Sequence, residues 1–444
     1  MRNLRKLSSL LLVLCLAFLA ACGGGSNSSG STSGNGGTGS NADSGGQPNE
    51  QGSSSGGKAA ISFWGIDGIS SYVEPIIKEF EQENPDISVE ISWFSTDAIK
   101  ESLKVAASSR TLPDVWFNWG GSFASFYSAN GLAMDLTQVA EDHNWAGIYN
   151  PAAIELAKYE GKIYSVPFHL ASLGVFVKKD LYEQFGLQAP KTLAELEEHM
   201  AIMHENGITP LPVGGKYGWM LMRWTEQLIE HYAGPELHDQ LNALEASWTD
   251  PSVVSALTKL KEWADKGYFP KGFITTAPEE AEMYMYSDGG YALEGTWFDQ
   301  TLTSNGYDPN NYLFFKFPNE QGAVRMSSFA EGFQINAETT PEKQQAAIKL
   351  AEYITSPDVV NKYINDYGAP ALSEFASTEA APHVKVMAEE VSAGNFLITD
   401  QALPQEVVDK LFEVTDAVML NAMTPEQAAA EMQKAVDQYK ANNP

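Results

Sequence analysis

The chain has 444 residues, with 28 Lys plus Arg against 57 Asp plus Glu, which sets the formal charge at −29. A surplus of that size excludes nucleic acid as a partner and excludes adsorption to anionic lipid headgroups, because like charge repels. It leaves the nature of a small ligand open.

The first segment, MRNLRKLSSLLLVLCLAFLAACGGG, carries Arg2, Arg5 and Lys6 ahead of the apolar run Leu10 to Leu19. A run of roughly ten residues is too short to span a bilayer, which takes about 20. Residues 1–21 are therefore expected to be a secretion signal, outside the fold. Leu19-Ala20-Ala21-Cys22 resembles the lipobox of bacterial lipoproteins, which implies cleavage before Cys22 and lipidation of that residue; an ordinary small-residue cleavage site is the alternative. With Cys15 inside the signal, the mature chain keeps a single Cys and no intramolecular disulfide, so it must rely on its core. Loss of Arg2, Arg5 and Lys6 makes the mature charge −32.

Residues 22–57 are expected to be the lipidated Cys and a linker, almost all Gly, Ser, Asn and Thr from Gly23 to Gly57, with nothing to bury. Such a segment behaves as a flexible coil with a root-mean-square reach of roughly 30 to 35 Å. Two motif matches inside it, GNGGTG at 34–39 and GSSSG at 52–56, are rejected because neither lies between a strand and a helix.

The remaining length suggests two domains. AAISFWGIDG reads as a strand running into a Gly-flanked loop. Val73, Ile76, Ile77 and Phe80 then recur at helical spacing, with Pro75 acceptable only in a first turn. ISVEISW at 87–93 alternates as a strand, a helix is predicted over 97–109, and PDVWFNW at 113–119 supplies a third strand. This order implies a parallel sheet with right-handed crossovers. Further on, a strand around Val175–Val177 precedes a helix stopping at Gly186. Thr192 and Glu195 form the signature of a capping box. More helices are predicted at 219–233, 251–266, 341–354, 357–366, 405–420 and 425–441, so the fold class is α/β throughout.

Several runs, in order, resemble the extracellular solute-binding proteins of ABC importers, in the group that mostly serves sugars. They are ISFW, DVWFNWGGSFASFYSANGLAMDL, GKIYSVPF with GVFVKKDLYEQFGLQAPKTLAELEE, YMYSDGGYALEGTWF, and SSFAEGFQINAET. The resemblance covers essentially everything after the linker. One departure is Val177-Lys178-Lys179, where the family usually has Tyr-Asn-Lys; it bears on packing near a hinge. The resemblance implies a two-lobed periplasmic-binding-protein-like (type II) fold, with hinge crossings and a ligand cleft between the lobes. The expected division is 58–168 plus 298–333 for lobe 1 and 169–297 plus 334–444 for lobe 2. It also implies closure by hinge rotation, docking on ABC permease subunits and action as a monomer, with no cofactor.

A sugar cleft needs aromatic faces for stacking, and carboxylates, amides or Arg for bidentate hydrogen bonds. The candidates lie near strand ends, where ligands of open α/β sheets bind. Trp64 and Asp67 follow the first strand; their structural alternatives are a core indole and a turn residue. Asn118 and Trp119 end the third strand beside Gly120-Gly121, where backbone can approach a ligand, while Trp116 is assigned to the core. Phe168 and His169 follow Pro167 at the expected hinge. Trp219 and Arg223 stand four apart and share a helix face. Glu294 and Trp297 lie in ALEGTWFD, and Glu331 lies between Ala330 and Gly332. Met283, Tyr284, Met285 and Tyr286 alternate and are read as packing.

Two carboxylates such as Glu294 with Glu331 or Asp67 would suit a glycoside hydrolase, yet no local hydrolase signature accompanies them. His199 and His204, five apart, do not share a helix face, and no H-E-x-x-H occurs, so no metal site is expected. Capture of a sugar or oligosaccharide is the first reading. A polyamine, peptide or metal chelate in the same fold is the second, and a surface hydrolase the third. The long tether after Cys22 points to a lipid-anchored protein on the outer face of a Gram-positive-type cell membrane.

Overall fold

The computed structural model describes residues 58–443, apart from 288, 321–324 and 377 and the side chains of 392 and 393. The expected signal at 1–21, Cys22 and the linker to residue 57 lie outside the described residues.

Strand β1 (Ala59–Ile66) pairs in parallel with β2 (Ile87–Phe94) on one side and with β3 (Val115–Trp119) on the other. The helices Asp67–Glu83 and Thr96–Ser109 make the crossovers, as the strand–helix alternation predicts. After a small hairpin of β4 (Lys158–Tyr159) and β5 (Lys162–Ile163) come β6 (Val166–Lys178), β7 (Ala292–Gly295), β8 (Tyr312–Phe315), β9 (Met326–Ile335) and β10 (Asn395–Leu397). The main sheet has eight strands in the order β2-β1-β3-β9-β6-β7, with β10 beside β9 and β8 beside β6.

Two long strands join the halves of the molecule. The first part of β6 pairs with β9 as far as Ser172, and from Leu173 onward β6 pairs with β7 and β8. Strand β9 meets β3 with its C-terminal part, from Glu331 to Ile335. Chain order and spatial grouping part company here. Strand β8 lies on the far end of β6, and the helix Pro341–Ile354 packs on β1 and on the helix Asp67–Glu83. The division expected from sequence assigns β8 to lobe 1 and the helix Pro341–Ile354 to lobe 2. The helices Gln405–Met419 and Pro425–Asn442 return to pack on the helix Pro251–Asp265.

Pro75 departs from expectation, because its helix begins at Asp67 and the proline sits mid-helix. The missing N–H and ring clash cost about 3 kcal/mol. Ile69, Tyr72, Val73, Ile76, Ile77 and Phe80 are all buried on the inner face of that helix. At about 1.5–3 kcal/mol per fully buried large apolar side chain, this burial outweighs the kink. Thr192 accepts from the Glu195 N–H at 3.1 Å, but the Glu195 carboxylate takes the Lys191 N–H instead of closing the box. A complete capping box stands at Thr424 and Gln427. The stretch around Met283 to Tyr286 is a helix, Pro278–Tyr286, and not an alternating strand. The helix from Trp219 runs on to Asn242 across a break at Gly234, whose φ is 73°.

Candidate functional site

A cavity of about 510 Å³ opens between the two halves and takes wall residues from both. Asp67, Trp119, His169, Trp219, Arg223, Glu294, Trp297 and Glu331 all line it. Asp67 reaches the wall because it is the first residue of its helix, where a carboxylate also suits the positive end of the helix dipole. Trp119 closes β3 and faces Glu331 across the β3–β9 ladder.

The helix starting at Trp219 presents Trp219 and Arg223 one turn apart. The Arg223 guanidinium carbon lies 4.6 Å from the Trp219 ring centre and 5.3 Å from that of Trp297. Its Nη1 donates to Glu294 Oε2 at 3.0 Å and to the Leu293 carbonyl at 3.1 Å. Arg223 is 7% exposed and Glu294 2%, so this ion pair is buried in the cavity floor. Trp219 Nε1 donates to Asp97 Oδ1 at 3.2 Å, a contact between helices that pack in different halves. Lys100 lies over the Trp119 ring, its Nζ 4.7 Å from the ring centre.

Trp297 lies over the backbone of its own strand end. A Cβ on Gly295 would overlap the six-membered part of the Trp297 indole, so glycine is needed for the ring to lie flat there. Because the overlapping atoms are the far end of a side chain and not backbone, Gly295→Ala is expected to displace the ring at little cost. Unfolding free energy should stay within about 1 kcal/mol, as for substitutions that relax without cavity or charge defects. Ligand Kd should rise about tenfold, which is about 1.4 kcal/mol. Urea unfolding and calorimetric titration check the two halves of this expectation.

His169 and Phe168 show how one irregularity sorts neighbours. The register between β6 and β9 shifts between Pro167 and His169, as expected where a proline lacks its N–H and the strand bulges. Phe168 then points into the core, 1% exposed. His169 turns to the cavity with its Nδ1 2.8 Å from Glu331 Oε2, and the Tyr72 hydroxyl stands 3.4 Å from its Nε2.

Trp64, Asn118 and Phe168 do not line the cavity. Trp64 is half-buried on the opposite side of β1 from Phe63 and packs on Phe94, ring centres 5.0 Å apart. The Asn118 amide donates to Gln334 at 2.9 Å and its oxygen accepts the Trp119 N–H, which satisfies it inside the fold. Gly121, at φ 60°, has its open side filled by the Gln401 carbonyl, so the close approach there is to protein.

The wall holds residues that periodicity did not single out, among them Tyr72, Lys100, Glu279, Glu282, Asp366 and Asp400. Pro278 followed by Glu279 and Glu280 is a helix-start signature that places Glu282 one turn in; the neighbouring Met/Tyr alternation hides it. Burial, and then the nearby Glu294 charge, pushes the Glu282 carboxyl up to about 8. Burial also raises Asp400 and Asp366 and lowers Lys100. Behind the wall, burial brings Glu226 up to about 8, although its Oε2 accepts the Thr399 N–H at 2.9 Å.

The family model of bacterial extracellular solute-binding proteins matches residues 65–361, and the chain belongs to that family. An uncharacterized ABC transporter extracellular-binding protein of Pyrococcus horikoshii is 28% identical over 306 residues, 67% of this chain and 68% of its own length. The multiple sugar-binding protein of Streptococcus mutans is 22% identical over 313 residues, 67% of this chain and 71% of its own length. In structure the chain is similar to a chitin oligosaccharide binding protein, at a TM-score of 0.78 and 21% identity, covering 86% of this chain and 99% of that one. The architecture is thus the two-lobed, type II periplasmic-binding fold, and the relatives are binding proteins. Among the described residues, no helix is long and apolar enough to cross a membrane.

Proposed function

We propose that the chain is the substrate-capturing subunit of an ABC importer, closing its lobes on a sugar or oligosaccharide and handing it to membrane permease subunits. The observation that carries this reading is the convergence of Trp119, Trp219 and Trp297 on one cavity beside Arg223, Glu294 and the His169–Glu331 pair. Indole faces suit the C–H face of a pyranose, and charged groups in fixed geometry suit its hydroxyls. The names of the Streptococcus mutans relative and the chitin oligosaccharide binder support the same class of ligand. A ligand touching both walls favours the closed state by its differential affinity for it.

The lobes follow strand pairing: β1, β2, β3 and the helix Pro341–Ile354 with the C-terminal part of β9 in one, and the far part of β6 with β7, β8 and the helices Pro251–Asp265, Gln405–Met419 and Pro425–Asn442 in the other. The reading is of a binder and not an enzyme, supported by relatives that are binding proteins and by the engagement of Glu294 with Arg223 and of Glu331 with His169. It works as a monomer, anchored through lipid on Cys22 to the outer face of a Gram-positive-type membrane. The excess of carboxylates on the wall favours a second reading, a cationic non-sugar solute such as a polyamine.

Titration calorimetry against mono- and oligosaccharides tests the first reading. Saturable 1:1 heat without product formation is the expected result. Turnover of a glycoside would sink it, and heat from a polyamine alone would favour the second.

A further inference from the structure

Asp97 and Trp219 meet across the cleft through helices, not through the strands that join the lobes. Asp97 is the second residue of the helix Thr96–Ser109, which buries Ile99, Leu103 and Ala106 and packs on β1 and β2. Trp219 opens the helix Trp219–Asn242, which packs on the helices Pro251–Asp265 and Gln405–Met419 of the other lobe. The indole Nε1 donates to both carboxylate oxygens of Asp97, at 3.2 and 3.4 Å. A hydrogen bond to an ionised acceptor is stronger than one between neutral groups.

Both partners are held from behind. Gly218, at φ 78°, has its open side filled by the Phe412 ring, so the start of the Trp219 helix is seated on its own lobe. The Arg223 guanidinium carbon lies 4.6 Å from the Trp219 ring centre. The Lys100 ammonium stands 4.0 Å from Asp97, and 4.7, 5.0 and 6.0 Å from the ring centres of Trp119, Phe123 and Trp219. Trp219 and Lys100 line the cavity, whereas Asp97 does not, although it is only 8% exposed. Its carboxylate therefore meets the opposite lobe and not the ligand. A hinge rotation that parts the two helices breaks the bond and returns both groups to water.

We propose that Asp97 is a positioning residue for capture: through Trp219 it latches the lobes in the closed arrangement, with or without a ligand, and so tightens the grip on every ligand by the same factor. This rests on the lobe-closure reading above and not on which solute is captured. The apparent Kd is the intrinsic one divided by the fraction of protein in the binding-competent form, so losing the latch weakens binding through that fraction. Because the ligand leaves only after the lobes part, the change falls on the off-rate.

The test begins with the purified protein, empty and labelled with nitrogen-15, in which the Trp219 indole signal is assigned by its loss in Trp219→Phe. The wild-type Trp219 indole N–H should exchange with solvent about tenfold more slowly than in Asp97→Ala, as for a group freed only by opening. Small-angle scattering should give a larger radius of gyration for Asp97→Ala and for Trp219→Phe than for the wild type. Glucose, galactose, cellobiose and maltotriose are then titrated calorimetrically. Asp97→Ala should raise Kd about tenfold for each sugar that binds, which is about 1.4 kcal/mol. On a Trp219→Phe background the same substitution should add less than about twofold, the mark of a shared interaction. Asp97→Asn, of the same size, and Trp219→Phe, acting from the other lobe, keep the question open to measurement if Asp97→Ala does not fold. Equal exchange rates with equal radii would overturn the latch and leave sugar capture standing. A rise in Kd that differs between sugars by more than about threefold would also overturn it, because independent sites add. Exchange and scattering decide the latch even where every sugar is silent, a result that would count against the sugar reading alone.

Discussion

Trp297→Ala should raise the Kd for the captured sugar at least 30-fold while leaving the protein folded. Truncating a tryptophan at the centre of a binding surface costs at least about 2 kcal/mol, and up to about twice that. Trp297, the proposed stacking platform, lines the cavity with Arg223 on one side and Phe329 at 5.7 Å on another. Removing the indole deletes the platform and also frees the guanidinium it helps to hold. The ring is only partly buried, so the cost to folding should stay near 1 kcal/mol, within the ordinary range for single substitutions. Calorimetry with the best-binding saccharide, alongside urea unfolding, separates the two effects. An unchanged Kd would mean that the ligand's ring lies elsewhere on the wall.

The largest loss of stability is expected from Arg223→Met. Glu294 would then keep a carboxylate in the cavity floor with neither counter-charge nor solvent. Breaking a buried pair from one side costs about 3–5 kcal/mol, whereas replacing both members by neutral groups is often nearly neutral. Against a total of about 5–15 kcal/mol for a typical domain, that is a large fraction. The double variant Arg223→Met/Glu294→Gln should therefore recover most of what the single variant loses, an interaction that a double-mutant cycle reads directly. Urea midpoints for the two single variants and the double variant provide it. A single variant that loses less than about 1 kcal/mol would show that the pair is far less isolated from water than its burial indicates.

Much of this architecture is written in periodicity. The alternation in ISVEISW and the stripe of Val73, Ile76, Ile77 and Phe80 correspond to β2 and to the inner face of the helix Asp67–Glu83. Trp219 and Arg223 come together because four residues make about one helical turn, so that part of the cavity is legible locally. What is not legible depends on contacts made at long range. Asp400 sits on a short turn of helix with no pattern of its own, and the strand–helix packing around it places it on the wall. Phe168 and His169 part ways through a bulge whose position depends on β9, far along the chain. The grouping of β8 with β6 and of the helix Pro341–Ile354 with β1 likewise depends on which edge is free when each arrives, a matter of topology rather than composition.

The pairing of β3 with β9 also sets a schedule for the newborn chain. Asn118 and Gln334, which meet across that ladder, are 216 residues apart in sequence. At about 5–20 residues added per second, the free edge of β3 waits roughly 10 to 40 s for its neighbour to be synthesised. Until then the first three strands present an unpaired, apolar border of the kind that invites association between chains. Cooperative folding of this protein is therefore a late event, possible only once most of the polypeptide has left the ribosome.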